Sequence, residues 1–125
     1  LGMETHKIGR IGENVFCKYL EKQGYKILER NYRQKWGEID VIGEKDKILH
    51  FFEVKSAEAF SRENDIRPEE NITPHKKHQL RKIIQTYIFE RKIPEELEFQ
   101  IDAGIVLIDF SRKKAKIRII EDILS

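Results

Sequence analysis

The stretch Gly37-Glu38-Ile39-Asp40-Val41-Ile42-Gly43, then Glu44-Lys45-Asp46-Lys47, then Ile48-Leu49-His50-Phe51-Phe52-Glu53-Val54-Lys55-Ser56 decides how this chain is read. Charged and apolar residues alternate from Glu38, the next residues are all charged, and Ile48 to Ser56 is rich in aromatic and β-branched side chains. Period-two alternation on either side of a polar turn predicts a β-hairpin with one face on a core. Glu38, Asp40 and Ile42 then share one face of the first strand, and Phe51, Glu53 and Lys55 one face of the second. A symmetric loop centred between Lys45 and Asp46 pairs Glu38 with Glu53 and Asp40 with Phe51. Asp40 and Glu53 become diagonal neighbours about 7–8 Å apart, and three carboxylates converge. A slip of one residue would turn Glu53 and Lys55 to the other face, so this reading needs an even register.

Upstream, Ile8, Ile11, Val15, Phe16, Tyr19 and Leu20 recur at helical spacing and Gly24 follows as a stop, predicting a first helix. Tyr25 to Tyr32 reads as a strand. Downstream, Ala57 to Thr73 has no sustained period, contains Pro68 and exceeds an ordinary connection, so it is either mobile or functional. Thr73 as N-cap and Pro74 in the first turn open a second helix, whose stripe of Leu80, Ile83, Ile84, Tyr87 and Ile88 runs toward a stop at Pro94. Phe99 to Ile108 is a strand, and its apolar run Ala103 to Ile108 fits one covered on both faces. Ile117 to Ile120 supplies a shorter edge strand. The order is α-β-β-β-α-β-β in one domain over residues 3–125. Leu1 and Gly2 ahead of Met3 read as the remnant of an expression tag.

The chain has 125 residues, too few for two full domains, with 39% hydrophobic and 37% charged residues. No run approaches the roughly 20 apolar residues of a membrane span, and the first residues lack the apolar block of a secretory signal. One cysteine, Cys17, excludes an internal disulfide and a cysteine zinc site, so a cytoplasmic protein with no membrane association is expected. Net charge is only +2, but it comes in blocks. Lys7 to Lys35 carries eight basic against three acidic residues, Trp36 to Glu58 six carboxylates against three lysines, and Ala59 to Lys92 eight basic against five acidic residues. Basic arms around an acidic centre suit a polyanion held at a cation site; a mixed, solvated surface gives the same tally.

Converging carboxylates repel unless a cation lies between them. Hard oxygen ligands without cysteine or histidine suit Mg²⁺ or Mn²⁺. Lys55, two residues from Glu53, would point into the same site and could orient an attacking water or stabilise charge on a phosphate. The plainer alternative is a row of strand carboxylates facing water. Lys76 sits near a helix N-terminus, where the dipole disfavours a cation unless an anion is close; a phosphate would resolve that conflict. Periodicity does not choose between Lys76 and Lys77. His75 and His78 lack a third ligand and read as surface histidines. Cys17 falls away from the centre of its helix stripe and reads as a plain thiol. Trp36 either stacks on a base or caps the core, the latter being favoured.

Asp40 followed by Glu53-Val54-Lys55 resembles the signature of the PD-(D/E)XK nucleases, whose shared core is an αβββαβ unit. With Gly12-Glu13, Arg30-Asn31-Tyr32-Arg33, Gly37-Glu38-Ile39-Asp40, Glu53-Val54-Lys55-Ser56, Lys76 and Asp102, the chain from Ile8 to about Ile108 is similar to the small YraN-type bacterial family. Ala57 stands where that family often carries Arg, which removes a phosphate or partner contact.

The resemblance implies an α/β, restriction-endonuclease-like αβββαβ core, a central mixed sheet flanked by helices, related to archaeal Holliday-junction resolvases. It implies a Mg²⁺- or Mn²⁺-dependent endonuclease acting on DNA, branched or structured DNA included. Asp40, Glu53 and the Val54 carbonyl would be the metal ligands and Lys55 the catalytic lysine. Glu13 and Glu38 are further catalytic candidates, Glu13 being alternatively a solvated helix carboxylate. Arg10, Arg30, Arg33, Lys76 and Lys77 are the expected nucleic-acid contacts, and a homodimer would suit cutting two strands. The alternative is a catalytically silent nucleic-acid-binding or adaptor module with the same fold.

Overall fold

The computed structural model describes residues 5–59 and 73–124. Its elements are α1 (Thr5–Lys22), β1 (Lys26–Gln34), β2 (Gly37–Lys45), β3 (Ile48–Glu58), α2 (Pro74–Glu90), β4 (Glu98–Asp109) and β5 (Lys114–Ile120). The strands form one sheet in the order β1-β2-β3-β4-β5, antiparallel except where β3 runs parallel to β4. Parallel neighbours need a crossover, and α2 lies in the connection that supplies it. This is the expected αβββαβ restriction-endonuclease-like core, with β5 added at the edge. Among the described residues no helix is long and apolar enough to cross a membrane.

Each helix covers one face of the sheet. Phe16, Cys17 and Leu20 of α1 pack on Val41, Phe52, Val106 and Ile108. Leu80, Ile83, Ile84 and Tyr87 of α2 pack on Tyr32, Ile39, Ile42, Leu49, Phe51 and Ile101. Ala103 to Ile108 is buried throughout because β4 lies under both layers. Cys17, expected away from the centre of the helix stripe, belongs to this core, and burial raises its thiol pKa. The second helix ends at Glu90, capped by Arg91, short of the Pro94 stop, because Ile93 N–H returns to the Ile88 carbonyl. The last strand opens at Lys114, and Ala57 and Glu58 belong to β3. Residues 60–72, most of the segment read as mobile or functional, lie outside the described residues, as do Leu1 and Gly2.

The hairpin differs from expectation in register. Asp46 (φ 51°) and Lys47 (φ 65°) are both left-handed, so the connection is a two-residue loop centred between Asp46 and Lys47 rather than between Lys45 and Asp46. Lys45 pairs with Ile48 and Val41 with Phe52, a shift of two residues that puts Asp40 level with Glu53 instead of Phe51. An even shift preserves the side of Glu53 and Lys55.

Asp102, fully buried, lies 2.7 Å from His50 Nδ1 and accepts from Gln100 Nε2 and Asp122 N at 2.8 Å. It ties β3, β4 and the residues after β5 together, which gives this motif residue a structural role. Two glycines set how closely α1 can approach the sheet. A Cβ on Gly104 would stand 2.5 Å from the Phe16 ring, and one on Gly12 would stand 1.7 Å from Ser56 Oγ and 2.6 Å from its Cβ. Rotating Ser56 cannot relieve the second clash. Gly9, with nothing within 4 Å, is the internal control. Gly12→Ala is expected to destabilise by about 1–3 kcal/mol in urea unfolding, whereas Gly9→Ala gains about 0.5–1 kcal/mol from helix propensity. Equal stabilities would show that α1 is not seated on Ser56.

Candidate active site

Past Val41 and Phe52 the β2–β3 pairing ends, and a side chain takes over from the backbone. Asp40 Oδ2 accepts from Val54 N at 2.7 Å, the bond that a continued ladder would have made with a carbonyl. A residue's N–H and C=O leave a strand on the same side, so the Val54 carbonyl faces the same opening. The strict alternation expected of Glu38, Asp40 and Ile42 fails here. Ile42 and Ile39 both belong to the α2-side core, whereas Val41 between them belongs to the α1 side. Across from Asp40 on β1, between the Arg30–Val41 and Tyr32–Ile39 pairs, Asn31 is left-handed (φ 53°). Such an irregularity re-aims side chains next to a site.

Glu13, Glu38, Asp40 and Glu53 surround this opening, and three of them already hold cations. Arg30 Nη2 lies 3.7 Å from Glu13 Oε1, and Arg33 Nη2 lies 2.8 Å from Glu38 Oε2. Glu53 Oε1 receives Lys76 Nζ at 2.9 Å and has Lys55 Nζ at 3.6 Å. The Asn31 amide faces Glu13 Oε1 and Glu38 Oε1 at 3.2 Å each, and with its nitrogen toward them it would donate to both. Sequence reasoning quoted Asn31 in a motif without giving it a task. Its signal was the ease with which asparagine adopts the left-handed conformation.

The expected convergence of three carboxylates on one point is corrected. Glu38 is drawn aside by Arg33, and among the described residues no three carboxylate, histidine or cysteine groups cluster tightly enough to hold an ion. What remains is Asp40, Glu53 and the Val54 carbonyl. These fit a hard divalent cation on two observations: among the described residues, Glu53 Oε2 is buried without a partner, and no cation stands beside Asp40. Lys55, 44% exposed, reaches the same opening. The anion beside Lys76 is Glu53, which resolves the dipole conflict without a phosphate. Arg10 and His75 are exposed, and Trp36 packs against the α2-side core beneath Lys82 Nζ, 4.5 Å from its ring centroid.

Burial pushes the Asp40 carboxyl from 3.8 up to about 6; the Val54 N–H opposes the rise, and Glu13, Glu38 and Glu53 add to it. A folded-state value above the unfolded one means that protonation favours the fold. That stability is present in full below about pH 4 and lost as pH rises through about 6. Asp40→Asn still accepts from Val54 N–H, so it should raise stability near neutral pH by about 1–2 kcal/mol, the gain vanishing toward about pH 4. Urea unfolding at both pH values tests this, and a destabilised variant at neutral pH would refute it.

Comparison with known proteins agrees with this geometry's place in a family. Residues 12–108 match the model of "Uncharacterised protein family UPF0102". A UPF0102 protein of Campylobacter hominis is 38% identical over 124 residues, covering 98% of both chains. One of Campylobacter jejuni is 40% identical over 102 residues, covering 82% of this chain and 85% of its own. One of Helicobacter hepaticus is 40% identical over 104 residues, covering 83% and 87%. Among solved structures, Pyrococcus furiosus SfsA in complex with Ca²⁺ is similar at 18% identity and a TM-score of 0.39, over 94% of this chain and 64% of that one. With the matched span running from the Gly12 contact to the end of the buried β4 run, the chain belongs to the UPF0102 family.

Proposed function

We propose that this protein is a metal-dependent endonuclease that hydrolyses phosphodiester bonds in DNA, with branched or otherwise structured DNA as the substrate class drawn from fold analogy. The supporting observation is the opening between β2 and β3, where Asp40, Glu53 and Lys55 meet beside the basic start of α2. Asp40 and Glu53, with the Val54 carbonyl, would hold Mg²⁺ or Mn²⁺. A bound ion would supply Lewis acidity toward a phosphate and a lowered pKa for water. Lys55 donates to the attacking water or to a non-bridging phosphate oxygen and aligns the two. Arg30 and Arg33 keep Glu13 and Glu38 off the incoming phosphate by pairing with them. The unpaired Cys17 thiol suits a reducing cytoplasm.

The backbone grip falls to α2. From His75 to Lys82 it carries Lys76, Lys77, Arg81 and Lys82 with no carboxylate, and its first turn has no acidic residue. Arg81 and Lys82 extend the sequence-based candidates along the exposed side of the helix. Binding through such residues depends steeply on salt and little on base sequence.

Two measurements test this. Labelled duplex, single-stranded, flap and four-way-junction DNA should be cut with Mg²⁺ or Mn²⁺, and Asp40→Ala and Lys55→Ala should each lose about a hundredfold or more in rate. Metal-indifferent binding without cutting would favour the silent module instead. In fluorescence-anisotropy titrations, the double variant Lys77→Met, Arg81→Met should flatten the slope of log affinity against log salt by about 2. An unchanged slope would remove α2 from the interface.

A further inference from the structure

Lys76 belongs to the basic start of α2, yet its ammonium is held by Glu53. It stands in the first turn of α2, three residues after the Thr73 N-cap, whose Oγ1 accepts its backbone N–H at 3.1 Å. Helix N-termini repel cations, yet the side chain extends away from α2 to end 2.9 Å from Glu53 Oε1. Lys55 already lies 3.6 Å from that oxygen, so one carboxylate oxygen carries two ammonium groups while its Oε2 is buried with none. Asp40, level with Glu53, has a hydrogen bond but no cation among the described residues. Two monovalent charges thus crowd one ligand oxygen where a divalent ion would serve both carboxylates.

We propose that Lys76 is the counter-cation of the metal-free site: it neutralises Glu53 until a divalent ion binds, competes with that ion for Glu53, and on release is free to take a phosphate oxygen. The proposal rests on the metal-dependent reading above and deepens it, making Lys76 the residue that couples ion binding to backbone binding. The geometry suits such an exchange. Lys76 is 35% exposed, so its ammonium can swing to solvent without a burial cost, whereas Glu53 is only 16% exposed and stays in place. By linkage, if a bound ion raises affinity for DNA through the freed lysine, DNA raises affinity for the ion by the same factor.

The test is calorimetric titration of the full chain with Mn²⁺ alone, comparing wild type with Lys76→Met, Lys76→Arg, Lys18→Met and Asp40→Asn. Lys76→Met should tighten Mn²⁺ binding about five- to tenfold. Lys76→Arg, which keeps the competing charge, and Lys18→Met, which removes an exposed charge of α1, should match wild type. Asp40→Asn should lose binding. In parallel, Ca²⁺ should strengthen duplex DNA binding by the wild type relative to EDTA, and Lys76→Met should lose most of that gain. Unchanged or weaker Mn²⁺ binding in Lys76→Met, with Asp40→Asn still defective, overturns the counter-cation role and leaves the metal site standing. Mn²⁺ binding indifferent to Asp40→Asn overturns the metal site itself, and the competition with it. A fall in Tm of Lys76→Met with no change in Mn²⁺ affinity identifies an ordinary structural ion pair and also refutes the proposal.

Discussion

The hydrogen bond from Val54 N–H to Asp40 Oδ2 is the hinge of this architecture. It is made where β2 departs from β3, and it replaces a ladder bond with a carboxylate. Without it, a buried edge donor would go unpaired as the strands part, at a cost of about 1–3 kcal/mol. With it, the strands can diverge while the opening keeps a fixed floor. Everything at the site is referred to that point: Glu53 and Lys55 flank Val54 on β3, Asn31 twists across from Asp40 on β1, and Gly12 brings α1 close enough for Glu13 to face the gap. The parallel β3–β4 pairing places β3 centrally, and the crossover it demands delivers the N-terminus of α2 to Glu53.

Much of this could be read from residue order. Alternation in Glu38–Gly43, the apolar run of β4 and the Thr73-Pro74 start of α2 were enough for the element order, since each rests on a local pattern. Register was not legible, because neither Asp46 nor Lys47 is the glycine that announces a two-residue loop, and Lys47 holds φ > 0 without any compositional sign. The placement of Asp40 and Glu53 together survived that error because the shift was even. The break in alternation at Asp40 was hidden for a different reason: it depends on Asn31, a residue of another strand. Cys17 was misplaced because a helix lying flat on a sheet buries a wider stripe than apolar spacing marks.

Charge shows most clearly what a linear tally omits. The basic block from Lys7 to Lys35 looked like an arm for a polyanion, but Arg30 and Arg33 spend their charge on Glu13 and Glu38. Arg33 thereby pairs with one of the six carboxylates of the acidic centre, and Arg30 with a glutamate of its own basic block. On α2, Lys77 and Arg81 have no carboxylate partner among the described residues, and Lys82 lies over an aromatic ring. On the proposed reading, the side of α2 that carries Lys77 and Arg81 adjoins the opening.

Asp40 is the exception within this balance, and the exception is informative. A fold optimised for stability alone would give a half-buried carboxylate with three acidic neighbours a cation, as it does for Glu13, Glu38 and Glu53, or replace it with an amide. Instead Asp40, the carboxylate that also closes the sheet, is left with a pKa raised chiefly by burial and further by Glu13, Glu38 and Glu53. On the metal-dependent reading proposed above, the cost borne in the metal-free protein would be recovered when a cation binds, an exchange of resting stability for affinity that a purely structural carboxylate would lack.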